Sequence, residues 1–251
     1  MVKIDLFVKH MNITSIVKKN VKAEELYKSN RVFTEKGKIY SFINPYGYHL
    51  MRKNIILYQQ LDGLYIDGIF MCILSRLFYG IRIKRRSFDN TTIAKDLFEY
   101  LNKYNFNTIY FVGAKQEEIE QAIQQYKQKY PGINILGYRS GYFATSEERY
   151  EEVRRIATLA PDFVVVGMGA ILQEDFLVSL KKQGFSGIGF TCGGFIRQSS
   201  SGMDYFPQWS NRFHLRFLYR LYKEKGTWKR LYNVLFQFPI LFFIDYLNKN
   251  E

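Results

Sequence analysis

The sequence has few of the residues that build disulfide frameworks or zinc sites. Its 251 residues include only two cysteines, Cys72 and Cys192, far apart in apolar or glycine-rich settings. Two isolated cysteines indicate a reducing compartment and exclude a disulfide framework. The three histidines show no metal-ligand spacing, which argues against a zinc site, and no Asp-x-Asp pair is present to hold a divalent ion.

Long hydrophobic runs are also lacking. The longest, Val234 to Leu247, has 14 residues and contains Gln237, Pro239 and Asp245. A membrane-spanning helix needs about 20 apolar residues, so this segment is too short to cross a bilayer, although it could lie on one. The amino terminus has no unbroken apolar signal core, so we expect a cytoplasmic chain rather than a secreted one.

Aromatic residues and positive charge are abundant instead. The 22 Phe and 20 Tyr residues belong to a hydrophobic fraction of 47%, which is enough for a large core. The net charge of +13 indicates an acidic partner such as nucleic acid, an anionic membrane or a phosphorylated substrate. Residues 212–251 carry eight Lys or Arg against three acids, so part of this charge lies beside the apolar tail.

Two hydrophobic periods alternate from Lys38 onward. Short apolar runs predict strands, and amphipathic segments of helical period lie between them. This alternation predicts an α/β fold, a Rossmann-like parallel sheet flanked by helices. The predicted strands are 39–43, 64–66, 108–112, 133–138, 163–166 and 187–191, and the predicted helices are 46–60, 69–78, 92–104, 116–129, 146–159 and 172–183.

Composition divides the chain into three regions. Residues 1–37 form a charged N-terminal segment with one short helix expected over 23–28, and residues 38–208 form the predicted core. Residues 209–251 form a C-terminal basic amphipathic helical appendage. In it Arg212, Arg216 and Arg220 share one helix face. That face is either solvated or part of a membrane-associating surface, into which tail phenylalanines such as Phe238 and Phe242 would insert.

An Asp-Gly pair directly follows the second predicted strand. Asp67 and Gly68 end the run Leu64–Ile66 and open the apolar segment from Ile69. Carboxyl ends of buried parallel strands are where α/β sheets collect their ligands. Asp67 is therefore either the N-cap of the following helix or a general base.

Glycines end several other predicted strands. Gly113 follows the third strand, Gly167 and Gly169 the fifth, and Gly193 with Gly194 the sixth. Each alone is ordinary turn chemistry. Together at one sheet edge they predict a nucleotide or phosphate ligand, because the backbone can approach it closely and helix N-termini favour anions.

Seven motifs in order resemble one known family. They are Asn44-Pro45, Asp67-Gly68, Lys84-Arg85-Arg86-Ser87-Phe88-Asp89, Gly141-Tyr142-Phe143, Gly167-x-Gly169-x-x-x-Gln173-Glu174, Gly193-Gly194-Phe195 and Leu218-Tyr219-Arg220. Over roughly residues 38–232 the chain resembles the WecG/TagA/CpsF glycosyltransferases (family 26). The resemblance implies metal-independent, inverting transfer from a UDP-sugar to a polyprenyl-diphosphate-linked sugar at the cytoplasmic membrane leaflet, with no cofactor.

The resemblance also assigns residues. It implies Asp67 as general base, and a substrate-binding arginine at Arg85 or Arg86, which the sequence does not separate. Tyr142 and Phe143 would stack on a uridine ring or pack in the core. The other implied substrate-binding residues are Asn44, Gly113, Gly167, Gly169, Gln173, Glu174, Arg220, Lys229 and Arg230.

The chain departs from the family pattern at three places. Phe42, with Ser41 beside it, stands where well-known members have Thr, and Ile171-Leu172 where many have Pro. Residues 197–207 also differ. The lost hydroxyl favours one alternative, a catalytically silent, membrane-tethered nucleotide-sugar-binding regulatory module.

Two further classes are disfavoured. A nucleic-acid-binding protein lacks support because the charge clusters with an apolar tail and no RNP-like or helix-turn-helix signature is present. A dinucleotide oxidoreductase lacks the G-x-G-x-x-G that should open the first βαβ unit. The sequence leaves open the donor sugar, the acceptor glycan and the oligomeric state. A homo-oligomer is compatible with it.

Overall fold

Six parallel strands form a single sheet. The computed structural model describes residues 13–202 and 231–248. The strands are β1 (Ile39–Ile43), β2 (Gly63–Ile66), β3 (Thr108–Gly113), β4 (Asn134–Arg139), β5 (Phe163–Gly167) and β6 (Ile188–Thr191). Their order in the sheet is β2-β1-β6-β5-β3-β4. This parallel sheet confirms the predicted Rossmann-like fold. The prediction was possible because apolar runs of strand length alternate with helical segments over the whole core.

Helices cover both faces of this sheet. The helices are α1 (Ile13–Lys28), α2 (Pro45–Lys53), α3 (Ile55–Gln59), α4 (Ile69–Tyr79), α5 (Ile93–Lys103), α6 (Gln116–Lys129), α7 (Ser146–Leu159), α8 (Leu172–Lys182), α9 (Phe195–Ser200) and α10 (Phe238–Leu247). Helices α2, α3, α4, α7, α8 and α10 share one hydrophobic core, whereas α5, α6, α9 and most of α1 share the other. The fold therefore has three layers.

Two helices differ from their predicted extent. The helix expected over 46–60 is broken at Asn54, whose side chain donates to Leu50 O at 2.9 Å and so ends α2. Such local side-chain bonds compete with helix continuation. Helix α1 is longer than the predicted 23–28 and packs against β2, where the Tyr65 hydroxyl donates to Ala23 O at 2.8 Å.

The C-terminal helix α10 packs on the core. Phe238 and Phe242 are each 1% exposed, and Phe238 lies edge-on to Tyr48 with ring centroids 5.4 Å apart. Buried Asp245 accepts two hydrogen bonds from Arg52, from Nε at 2.9 Å and Nη2 at 3.0 Å. The prediction that Phe238 and Phe242 insert into a membrane is therefore wrong, since both rings are already buried in protein.

The remainder of the predicted appendage is described only in part. The basic helix with Arg212, Arg216 and Arg220 lies outside the described residues, whereas a π-helical turn (Asn233–Gln237) leads directly into α10. Within residues 13–202 and 231–248, no helix combines the length and hydropathy that a bilayer span requires.

Candidate active site

A cavity of about 870 Å³ lies at the carboxyl edge of the sheet. Here β3 leads to α6 on one face and β5 leads to α8 on the other. Gly113 and Gly167 end these two strands side by side, and a Cβ on Gly113 would lie 2.5 Å from Gly167 O. Strand pairs whose helices diverge leave a crevice for ligands, so this is the expected position of a binding site.

Most of the predicted site residues of the core line this cavity. Gly113, Phe143 and Arg86 do not line it, and Arg220, Lys229 and Arg230 lie outside the described residues. The lining residues among those predicted are Asn44, Asp67, Arg85, Tyr142, Gly167, Gly169, Gln173 and Glu174.

The Asn44-Pro45 and Asp67-Gly68 motifs pack against each other. A Cβ on Gly68 would lie 2.7 Å from Pro45 Cδ, so only glycine fits without a shift. The Asn44 side chain caps α2 by accepting from Gly47 N at 2.8 Å. The N-cap of α4 is Gly68, so the N-cap alternative for Asp67 is wrong. The Asp67 side chain instead lines the cavity.

Arg85 holds Asp67 in a polar cluster. Its Nη2 donates to Asp67 Oδ1 at 2.8 Å, Ser87 Oγ at 3.0 Å and Asp89 Oδ2 at 3.3 Å. Burial opposes the charge of Arg85, but the carboxylates of Asp67 and Asp89 outweigh it and raise the pKa of the guanidinium. The Asp67 carboxylate is thus fixed and one-third exposed at the cavity wall.

The neighbouring arginine faces away from the cavity. Arg86 donates to Glu24 of α1 through Nη2 at 2.6 Å and through Nε at 3.0 Å. Its guanidinium also lies 4.3 Å from the Tyr27 ring centroid. The geometry separates the two candidates that the sequence left open, because Arg85 lines the cavity and Arg86 joins α1 to the core.

Glu174 belongs to a buried hydrogen-bond network below the cavity. Its carboxylate is 1% exposed and accepts from Ser41 Oγ at 2.7 Å, Ile171 N at 2.6 Å and Gln173 Nε2 at 3.0 Å. Gln173 Oε1 in turn accepts from Gly193 N at 3.0 Å. The pair therefore joins the β5–α8 loop to the β6–α9 loop, and Glu174 holds this part of the cavity wall in place.

Burial raises the pKa of Glu174, although its hydrogen-bond donors act in the opposite direction. Since the folded-state value is raised, the carboxyl stabilises the fold at low pH, and this contribution falls as pH rises above its unfolded value of about 4.3. We expect the free energy of unfolding of the wild type, relative to Glu174→Gln, to fall with pH by up to about 1.4 kcal/mol per unit in that window. Urea denaturation at several pH values measures it.

Glu99→Gln is the control, because the Glu99 carboxylate is 56% exposed and pairs with Lys95 at the surface. The free energy of unfolding of Glu99→Gln is measured at the same pH values for comparison. A difference for Glu174→Gln that rises with pH would mean that the folded protein favours the ionised carboxylate.

The two candidate uridine-stacking aromatics differ in position. Phe143 packs on Phe176 with centroids 6.1 Å apart, and the Arg139 guanidinium lies 4.0 Å from the Phe143 centroid. Tyr142 is 71% exposed and lines the cavity. Phe143 is thus partly packed against the core, and the Tyr142 ring is the more exposed of the two.

Phe42 replaces the family hydroxyl with an aromatic ring at the cavity. It stacks on Tyr65 with centroids 5.4 Å apart, while the neighbouring Ser41 turns to the opposite face and contacts Glu174. Thr191 of β6, which the sequence did not single out, lines the cavity and donates to Ser41 Oγ at 2.9 Å.

Sequence reasoning also missed two donors at the β6–α9 loop. Arg197 and Gln198 line the cavity, and both side chains end about 3.7 Å from where a Gly194 Cβ would lie. The Gly193-Gly194 pair predicted a ligand site at this loop. A helix as short as α9 has too few residues for its hydrophobic period to show which side chains point towards the cavity. In the described part of the chain, no group of three or more His, Cys, Asp or Glu residues is arranged to hold a metal ion.

The sheet and cavity define a Rossmann-like α/β protein with a candidate ligand site at the carboxyl edge of the sheet. The model of the WecG/TagA/CpsF glycosyl transferase family matches residues 11–251, so the chain belongs to this family and is a glycosyltransferase.

Named relatives agree with this assignment. The chain is 34% identical over 234 residues to a Shigella boydii UDP-Gal:alpha-D-GlcNAc-diphosphoundecaprenol beta-1,4-galactosyltransferase, covering 93% of this chain and 91% of the relative. It is 29% identical over 175 residues to the Bacillus spizizenii N-acetylglucosaminyldiphosphoundecaprenol N-acetyl-beta-D-mannosaminyltransferase, covering 69% and 65% of the two chains.

Proposed function

We propose that this protein transfers a hexose from a UDP-sugar to a sugar linked to polyprenyl diphosphate, in cell-surface polysaccharide biosynthesis. Two relatives act, by name, on sugars linked to diphosphoundecaprenol, and one of them takes UDP-Gal as donor. The cavity size of about 870 Å³ suits a nucleotide sugar. The observation that carries the proposal is the fixed Asp67 carboxylate at the cavity wall.

Asp67 acts as the general base in this proposal. A sugar hydroxyl is a weak nucleophile at neutral pH, so a carboxylate has to take its proton as it attacks. The acceptor oxygen forms a bond to the anomeric carbon, the bond from that carbon to the UDP oxygen breaks, and the proton moves to Asp67. Since attack and departure lie on opposite faces of the ring, one displacement inverts the anomeric configuration.

Positive charge and N–H donors stabilise the departing diphosphate. Arg197, Gln198 and Gly194 line the cavity. Fixed donors of this kind stabilise developing charge without reorganising. Arg220, Lys229 and Arg230 of the tail are further proposed contributors, on the strength of the family resemblance.

Activity should therefore persist in excess EDTA. The leaving-group charge is matched by arginine and N–H groups in this proposal, so no divalent ion is needed. Turnover with and without chelator, measured as UDP release, checks it, with a Mg²⁺-dependent glycosyltransferase as positive control for chelation. Abolition by EDTA and restoration by Mg²⁺ or Mn²⁺ would mean that a metal participates.

The silent regulatory module remains the second candidate, because Phe42 occupies the position of the family hydroxyl and Ser41 faces away. A screen of UDP-hexoses for UDP release, with a short-chain polyprenyl-diphosphate-linked N-acetylglucosamine acceptor, separates the two. The transferase releases UDP only when acceptor is present. A silent module binds the UDP-sugar, by calorimetry, without acceptor-dependent release.

The proposed activity also implies where in the cell the protein acts. A lipid-linked acceptor is held in a membrane and its donor in the cytoplasm, so we propose a peripheral position on the inner leaflet of the cell membrane. Fractionation of cells that express the protein tests it, and recovery only in the soluble fraction at low salt would count against it.

A further inference from the structure

Helix α4 carries an exposed apolar stripe. Ile69, Ile73 and Leu77 recur every four residues and are 39%, 54% and 71% exposed. They extend over about 12 Å at 1.5 Å per residue. Ile69 lines the cavity, so the stripe begins at the cavity mouth and runs outward along the surface.

The outer side of α10 continues this apolar surface. Phe78 of α4 contacts Phe243 of α10, with ring centroids 5.7 Å apart. The helix is apolar on both sides, but only the side with Phe238 and Phe242 is buried. The residues exposed on its outer side are Ile240, Phe243, Ile244 and Leu247, with exposures of 60%, 44%, 38% and 61%. A helix that is apolar all round needs a second apolar neighbour.

The charge beside the stripe is of one sign. Between Gly68 and Arg85 the chain contains three Lys or Arg and no Asp or Glu. Arg76 lies on the exposed side of α4 between Ile73 and Leu77, and Arg82 and Lys84 beyond the helix are also exposed. Apolar side chains flanked by basic ones fit the interface of an anionic bilayer.

We propose that the stripe of α4 and the outer side of α10, together called the apolar face, form the surface by which this protein lies on an anionic membrane. This inference rests on the proposed function, because a polyprenyl-linked acceptor presents its diphosphate and sugar at the bilayer surface. The cavity mouth at Ile69 then opens directly at that surface. An element of the core, rather than the tail alone, carries the contact.

The test is flotation with vesicles of equal parts phosphatidylglycerol and phosphatidylcholine. In the double variant Ile73→Glu and Leu77→Glu, we expect the partition coefficient to fall about tenfold or more, because two apolar side chains lose their burial in lipid. Both residues are exposed and lie outside the cavity lining, so folding and turnover on a short-chain acceptor in solution should be unchanged. Turnover on full-length acceptor in vesicles should fall.

Phe106→Glu is the matched control. Phe106 is 74% exposed and lies just before β3, at the amino ends of the strands, so this variant should float as the wild type does. Arg76→Glu should weaken flotation mainly at low salt, and circular dichroism checks that each variant is folded.

Wild-type flotation in the double variant would overturn the proposal, as would failure of the wild type to float. A wild-type dimer in sedimentation that the double variant breaks, with flotation unchanged, would assign the apolar face to a second copy of the chain and also overturn it. If the wild type floats but transfers no sugar, the proposed function fails while the apolar face stands.

Discussion

Replacing Asp67 with Asn should lower turnover by about 100-fold or more, the range expected for loss of a general base. The fold should persist, because Asn has the same shape and Arg85 keeps Ser87 and Asp89 as hydrogen-bond partners. UDP-sugar binding should also persist, since the proposal gives Asp67 a role toward the acceptor hydroxyl. Acceptor-dependent UDP release and calorimetric titration of the donor, on the same preparation, measure both.

Asp175→Asn is the matched control. Asp175 is a partly exposed carboxylate that pairs with Arg149 at 2.8 Å outside the cavity, so this change should leave turnover within about twofold. Near-wild-type turnover in folded Asp67→Asn would remove Asp67 from catalysis. A loss of thermal stability that accounts for the lost activity would assign it a structural role instead.

Alanine substitutions of Arg85 and Arg86 should have very different effects on turnover. Arg85→Ala should lower turnover by about 100-fold to 1,000-fold, because Asp67 loses the donor that orients it and the cavity loses a cation. Arg86→Ala should leave the turnover of folded protein nearly unchanged. It should lower the free energy of unfolding by about 1–3 kcal/mol, since Glu24, whose side chain is 12% exposed, loses its charged hydrogen bonds.

Steady-state kinetics and urea denaturation on both variants check this contrast. Equal loss of turnover in both, at equal stability, would show that the two arginines act together in the site. A kinetic defect confined to Arg86→Ala would reverse the assignment.

The fold was predictable because periodicity and local chemistry agree over most of the core. The run Phe163–Val166 is apolar throughout, as a strand buried on both faces must be, and it forms β5 between β6 and β3. The break at Asn54 was not predictable, because the apolar pattern continues through it. One side-chain bond to Leu50 O outweighs that pattern.

The motifs of the candidate site were predictable from the sequence, but the directions in which their side chains point were not. Arg85 and Arg86 are adjacent and chemically identical, and only the packing of α1 against the core sends Arg86 to Glu24. Glu174 likewise reads as a polar residue at a helix start, whereas the fold encloses it among Ser41, Gln173 and Ile171. Burial depends on elements distant in sequence, which a local pattern does not contain.

The tail shows the same limit. The sequence between Val234 and Leu247 has apolar residues at nearly every position, so the pattern does not distinguish the side that packs on protein from the side left exposed. Tyr48 and Arg52 of α2 decide it, because they bind Asp245 and turn Phe238 and Phe242 inward.

In the proposed mechanism, sugar transfer is a single, base-assisted displacement at the carboxyl edge of the sheet. The anomeric configuration of the product, read from the proton coupling constant in NMR after reaction of an α-configured UDP-hexose with the short-chain acceptor, tests it most directly. We expect a β-linked product from the wild type and none from Asp67→Asn. An α-linked product would require two displacements or a different mechanism, and would contradict the role given to Asp67.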